Sequence, residues 1–205
     1  MANERIAVLG AGRIGGTLGR KWIAAGYQAV FGVTDPSGEK AQTLRADLGG
    51  HADIRTAAEA IRDVAVVVFA IPGGAMEDAI VASAAALDGK LVIDSANRMG
   101  ESVPNSRAAF QRHAPRARYV RAFNSLGVEN FADPTFNGVT ADLFYAGPEA
   151  DRELVERLIG AIGLNPMRLG GEDQAGLVDA AASLWFALAL GQKRGRHLAF
   201  KVLLG

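Results

Sequence analysis

Cysteine is absent from the 205 residues, which excludes disulfides, thiolate nucleophiles and Cys-ligated zinc or iron–sulfur sites. Net charge is absent too: 22 Lys and Arg balance 22 Asp and Glu, which removes the electrostatic case for nucleic acid or an anionic membrane as partner. The three histidines, His51, His113 and His197, are dispersed, and no H-E-x-x-H, G-x-S-x-G or phosphate-binding GxxxxGK motif occurs, so no metal site is expected. Long hydrophobic runs are lacking as well. The longest, Ala180 to Leu190, is about half of the ~20 residues that a membrane span requires. The start, Met1-Ala2-Asn3-Glu4-Arg5 before the apolar Ile6–Leu9, does not read as a signal peptide. The expectation is a cytoplasmic protein.

What is present is apolar and rich in glycine. Hydrophobic residues make up 49% and charged residues 21%, too apolar for disorder. The 25 glycines are about 12% of the chain, against the usual ~7%. Short continuous apolar runs read as strands buried on both faces: Ile6–Leu9, Ala29–Val33, Ala65–Ile71, Leu91–Asp94, Tyr119–Phe123 and Leu143–Ala146, with Pro166–Leu169 as a further candidate. Between them lie segments of helical spacing. Ile14, Leu18, Trp22 and Ile23 make one apolar face that stops at Gly26, and further helices are expected at Glu39–Leu48, Thr56–Arg62, Ala75–Leu87, Ser106–His113 and Glu149–Ile162. The alternation predicts an α/β fold, a Rossmann-type doubly wound, mainly parallel sheet with helices on both faces. Asp173–Gly191 is apolar almost all round, which predicts a helix buried on every side, inside the domain or against a second subunit. The division expected is a dinucleotide-binding domain over 1–170 and a helical extension over 171–205 that builds an acceptor pocket or a homodimer contact.

Gly10-Ala11-Gly12-Arg13-Ile14-Gly15 follows the first strand and opens the first helix. Gly10 permits the tight turn, Gly12 lets the backbone approach a pyrophosphate, and Gly15 lets helix pack on strand. The helix start then offers N–H groups and a partial positive charge to phosphates. Arg13 is either a further phosphate contact or a solvated side chain. Asp35, 25 residues beyond Gly10, is near the spacing of an acid that holds the ribose of NAD. It also precedes Pro36, as a turn-forming Asp does. Thr34 and Lys40 are candidates for a phosphate contact. NAD and NADP both stay open on these residues.

Ile6–Gly16, Val30–Pro36, Phe69–Gly73, Val92–Asn97 and Arg121–Gly127, in that order, resemble the coenzyme F-420 (deazaflavin)-dependent NADP oxidoreductase family. The resemblance continues to Leu198–Lys201 and covers nearly the whole chain. It implies a Rossmann domain with a small C-terminal helical part, NADP as cofactor with NAD possible, and hydride transfer to a flavin or deazaflavin. Carried over by position, it puts Ala11, Gly12, Arg13 and Ile14 on the pyrophosphate, Val33 and Thr34 on the adenosine ribose, and Lys40 near a 2′-phosphate. Ile71, Pro72 and Gly73 would lie along the cofactor, with Asn97, Asn124, Ser125 and Leu126 near the nicotinamide. Three departures stand out. Thr34 replaces a usual basic residue, Asn124 stands where a His is frequent, and Ala180 and Ala182 occupy positions where Ser or Thr help to hold the deazaflavin.

Hydride transfer between two cofactors needs close, dry, correctly faced partners and few reactive side chains. A carbonyl, imine or quinone substrate is the alternative, and for a ketone or imine a proton donor would come from Asp94, Asp179 or Ser125. No catalytic residue is singled out. Trp185 and Phe186 are either acceptor-pocket or core residues. Arg107, Arg112, Arg116, Arg118 and Arg121, like Lys193, Arg194 and Arg196, read as solvated groups or ion-pair partners. A non-catalytic NAD(P)-sensing domain is the remaining alternative.

Overall fold

Continuous β-branched and apolar runs, Val66–Phe69 and Leu91–Asp94 among them, are buried over their whole length, as strands covered by helices on both faces must be. In the computed structural model, which describes residues 4–49, 52–203 and 205, they form the centre of a six-stranded sheet. His51 and Met1–Asn3 lie outside the described residues, as does the side chain of Lys40. The chain divides into two compact units, Met1–Tyr119 and Val120–Gly205.

The first unit alternates β1 (Arg5–Leu9), α1 (Arg13–Ala24), β2 (Gln28–Val33), α2 (Glu39–Asp47), β3 (Asp53–Thr56), α3 (Ala57–Arg62), β4 (Val66–Phe69), α4 (Met76–Ser83), β5 (Leu91–Asp94) and α5 (Arg107–His113). β6 (Arg118–Arg121) spans the division between the units. The strand order is β3-β2-β1-β4-β5-β6, and the pairs from β3 through β5 are parallel. This is the doubly wound order, with crossovers reversing direction at β1. α1 ends as the sequence predicts: Gly26 has φ +90°, Tyr27 N–H bonds Trp22 O at 2.9 Å and Gly26 N–H bonds Ile23 O at 3.0 Å, a Schellman motif. β3 (DIRT) escaped the sequence reading because only Ile54 among its four residues is buried.

The second unit comprises α6 (Val128–Ala132), a hairpin of β7 (Thr135–Phe136) and β8 (Val139–Thr140), β9 (Asp142–Tyr145), α7 (Arg152–Ala161), β10 (Asn165–Arg168) and α8 (Ala175–Phe186), which a π-turn extends to Gly191. β9 and β10 pair in parallel with α7 between them and form a sheet of their own, so Pro166 sits in a two-stranded ladder that its missing N–H does not interrupt. The tail returns to this unit: Asn130 Nδ2 donates to Arg196 O and Leu198 O, Trp185 Nε1 to Leu198 O at 2.7 Å, and Lys201 Nζ to the buried Asp142 at 2.7 Å. Burial pushes the Asp142 carboxyl up, but the Lys201 ammonium, Val202 N–H and Asn165 amide outweigh it and hold the pKa below its ordinary value. These bonds explain why the division falls after Tyr119 and not at 170/171, where the sequence reading has it. Segments on either side of residue 170 bond to one another, and β9 and β10 stay outside the main sheet.

Within the chain α8 is buried on one face, so of the two expected settings the inside of the domain does not cover it on every side. Val178, Ala182, Trp185 and Ala189 make the buried face, whereas Leu177, Leu184 and Leu190 are about half exposed, at 51%, 53% and 49%. With its flanking turns the helical stretch Glu172–Gly191 is long and apolar enough to cross a membrane, longer than the run of Ala180–Leu190 suggests. It carries a buried Asp179 ion-paired to Arg121 in its middle.

Candidate functional site

The glycine loop is shaped by what it must approach. Gly10 has φ +102°, a left-handed conformation, and a Cβ there would lie 2.5 Å from Ala70 O and 3.1 Å from the Ile71 side chain. A Cβ on Gly15 would strike Gly10 O, and one on Gly19 the Phe31 ring, so α1 packs against the loop and β2 where only hydrogen fits. Gly12 is the opposite case. It is exposed, extended at φ −76° and ψ −171°, and a Cβ there would meet nothing within 4 Å. The missing side chain at Gly12 therefore serves no neighbour within the chain.

Gly12 caps α1 with no side-chain bond, the first turn holds no acidic residue, and the helical ladder starts only with Gly16 N–H to Gly12 O at 2.8 Å. The helix start thus presents amide donors and a partial positive charge with no carboxylate in its own first turn to answer them. A cleft of about 340 Å³ opens here, lined by Ala11, Gly12 and Arg13 together with Arg20, Glu39, Thr43, Leu44 and Asp47. Ile14 is half-buried at its edge of the helix. The sequence reading missed the part that α2 contributes, because Thr43, Leu44 and Asp47 carry no motif. Arg20, facing Asp47 at 3.5 Å, was equally silent.

Beyond β2, Val33 is half-buried while Thr34 and Asp35 are exposed. Asp35 Oδ1 accepts both Ser37 Oγ at 2.6 Å and Ser37 N–H at 2.9 Å, an Asx-type turn that leads into α2. The Ser37 hydroxyl first, then its amide, hold the Asp35 carboxyl below the ordinary value of 3.8. Lys40 lies in the first turn of α2.

At the carboxyl ends of the central strands the loops interlock. Gly10 N–H bonds Gly32 O at 2.9 Å, Ala70 N–H bonds Leu9 O at 2.9 Å, and Ser95 Oγ donates to Phe69 O at 2.7 Å. A Cβ on Gly73 would clash with Asn97 O and lie 2.7 Å from Asn97 C, so the loop carrying Ile71, Pro72 and Gly73 rests on the backbone at Asn97. The structure thus brings Gly10, Ala11, Gly12, Ile71, Gly73 and Asn97 along one edge of the first unit. This is the edge where sheets of this winding take their ligands.

Asn124, Ser125 and Leu126 belong to the second unit, in a turn whose residues 122–127 are all buried. Phe123 in this turn has φ +62°, strained for a bulky side chain. Asn124 Nδ2 donates to Asp179 Oδ1 at 3.3 Å, and the same oxygen takes Arg121 Nε at 2.8 Å and a terminal Arg121 nitrogen at 2.7 Å. Arg121 is thus ion-paired and fully buried, whereas Arg112 and Arg116 of the same run pair with Glu77 and Asp88 at the surface. Ser125 Oγ is buried with no hydrogen-bond partner among the described residues. The proton-donor candidates fare unequally. Asp94 accepts from Ala96 N–H, Ser106 N–H and Tyr119 OH, which makes it the anchor of the entry to α5. Asp179 is committed to Arg121. Trp185, buried and bonded to Leu198 O, is core, with Phe186 packed edge-on at 5.3 Å. Ala180 is exposed and Ala182 buried, so the two alanines face different ways.

Residues 5–98, which hold the glycine loop, the end of β2, the Ile71–Gly73 loop and Asn97, match the family described as NADP oxidoreductase, coenzyme F420-dependent. No curated protein sequence matches the chain. A candidate F420-dependent NADP reductase from Arthrobacter sp. FB24 has the same fold over 97% of this chain and 99% of its own, with a TM-score of 0.84 and 23% identity. A pyrroline-5-carboxylate reductase from Coxiella burnetii is similar at TM-score 0.67 and 19% identity, over 94% of this chain and 72% of its own. An imine reductase from a Pseudomonas species aligns at TM-score 0.69 and 21% identity, over 93% of this chain and 64% of its own.

Proposed function

We propose that this chain is an NAD(P)H-dependent oxidoreductase that passes a hydride from the nicotinamide to a flavin- or deazaflavin-like acceptor. The observation that carries the reading is Gly12: an exposed position, empty around its missing Cβ, at the start of an uncapped helix and the edge of a cleft. A pyrophosphate is the group such a cradle suits, since it needs close backbone approach and amide donors. The match of residues 5–98 to an NADP oxidoreductase family and the fold shared with reductases support an oxidoreductase. Bound there, the dinucleotide supplies a hydride carrier. The chain's own part is to hold it: Ala11, Gly12, Arg13, Ile14 and the Gly15 amide at the phosphates, Val33 and Thr34 at the ribose, Lys40 beyond it, and Ile71, Pro72 and Gly73 along its length, with Asn97 toward the nicotinamide.

Asp94 and Asp179 are engaged in internal bonds, which leaves a ketone or imine only the Ser125 hydroxyl as a donor and favours an acceptor that needs no proton from the protein. For a deazaflavin, Ala180 and Ala182 offer no hydroxyl, so nothing at those positions would grip its polar parts. The test is a thermal-shift series followed by an acceptor screen. NADH or NADPH at about one hundred times its Kd should raise stability by ~2.7 kcal/mol, and the nucleotide should then be oxidised when flavin, deazaflavin or quinone is supplied. Absence of any shift with both nucleotides would remove the central claim. Binding without turnover on any acceptor would leave a nucleotide sensor.

We also propose that the exposed face of α8 pairs with a second copy. Between Gln174 and Leu190 its only charged residue, Asp179, is buried, so Leu177, Leu184 and Leu190 stand on a surface without charge. Light scattering at micromolar concentration should return twice the chain mass of 21.4 kDa, and a monomer would refute the pairing.

A further inference from the structure

We propose that the end of β2 makes this chain prefer NADH to NADPH, with Asp35 as the residue that rejects a 2′-phosphate. The inference rests on the dinucleotide reading of the glycine loop and narrows it to one of two cofactors. In a sheet of this order the adenosine ribose is read at the carboxyl end of the second strand. An acid there accepts a hydrogen bond from the 2′-hydroxyl, whereas an arginine nearby accommodates a 2′-phosphate. The bond from Gly10 N–H to Gly32 O, 2.9 Å, fixes the end of β2 beside the glycine loop. The exposed side chains that follow are a hydroxyl, Thr34, and a carboxylate, Asp35, with no guanidinium between strand and helix.

The Asp35 carboxylate is not free to swing aside. Its Oδ1 takes both the hydroxyl and the amide of Ser37, and Gly38 comes so close that a Cβ there would lie 3.0 Å from Oδ2. The turn into α2 is built on this side chain, so its negative charge stays at the strand end whichever nucleotide arrives. Oδ2 is the oxygen left for a ribose hydroxyl. A phosphate dianion at the same place would face that charge at short range. The other charges that line the cleft are of both signs. Glu39 and Asp47 add acid to the cleft, and Arg20 is turned toward Asp47. Arg13, at the start of α1, lines the same cleft as Glu39 and Asp47. Lys40 is the cation that the experiment must weigh directly.

The experiment is isothermal titration of the purified chain with NADH and NADPH, and with 5′-AMP and adenosine 2′,5′-bisphosphate to isolate the phosphate. NADH should bind at least about tenfold more tightly than NADPH, and 5′-AMP more tightly than the bisphosphate. Asp35→Asn keeps an acceptor for Ser37 and removes the charge, so it should shrink the preference. Thr34→Arg should reverse it. A wild-type chain that binds NADPH as well as or better than NADH overturns the selectivity and leaves the dinucleotide reading standing. So does an Asp35→Asn chain with an unchanged ratio. Loss of the remaining NADPH affinity in Lys40→Ala, with the ratio in Asp35→Asn still relaxed, supports the assignment. If no nucleotide or fragment binds at all, both readings fail.

Discussion

Gly12→Val should abolish nucleotide binding while leaving the protein folded. The backbone at Gly12 is extended, at φ −76° and ψ −171°, a region valine adopts without strain, and no atom lies within 4 Å of the new Cβ. An exposed substitution of this kind shifts stability by no more than about 0.5 kcal/mol. The same side chain would fill the space that a pyrophosphate needs, so affinity for the better-bound nucleotide should fall at least about a hundredfold, ~2.7 kcal/mol. Titration calorimetry and a thermal melt on one preparation read the two effects separately. Unchanged binding would move the phosphate site away from this loop. Gly10 could not serve the same purpose, because a Cβ there combines φ +102° with a 2.5 Å approach to Ala70 O and would disturb the junction of β1 and β4 itself.

Asp179→Ala should be among the most damaging substitutions in the second unit. The Arg121 side chain has no exposed surface and Asp179 only 7%, so the guanidinium would be left in the interior without its carboxylate. Removing one member of a buried ion pair costs about 3–5 kcal/mol, which for a chain of this size lowers Tm by roughly 10 °C. Asn124 would lose the acceptor at 3.3 Å that ties its turn to α8, so the strained Phe123 conformation should relax as well. Thermal unfolding followed by circular dichroism checks the loss. The double variant Arg121→Met with Asp179→Leu should recover much of it, since an apolar pair of similar volume needs no compensating charge. A Tm within about 2 °C of wild type for Asp179→Ala would mean that the pair contributes little.

The candidate site was legible in the sequence to the extent that its parts are local. Gly10, Gly12 and Gly15 advertise a tight turn and a close approach by their spacing alone, and the structure gives Gly10 and Gly15 a steric reason within the chain but Gly12 none. The ambiguity at Asp35 was legible too, as ribose ligand or turn former. Its Oδ1 bonds to Ser37, two residues away, show that it forms the turn, and the proposed ribose contact falls to its other oxygen. The contribution of α2 to the cleft was invisible, because it depends on how that helix lies against the glycine loop.

Strand and helix alternation, the doubly wound class and the glycine loop follow from the sequence by itself, since apolar runs, helical spacing and glycine spacing are short-range patterns that sterics and burial impose directly. The lack of cysteine determined, in the same way, that disulfide and thiolate chemistry play no part. Tertiary structure decided what depends on partners far along the chain. Arg121 and Asp179, 58 residues apart, meet in a buried ion pair, and Asp142 meets Lys201 across 59. Asp94 finds Ser106 and Tyr119 and becomes an anchor. The division after Tyr119 and the half-bare face of α8 have the same origin: an apolar side chain records that it prefers burial, but only the packed fold determines which faces find a neighbour.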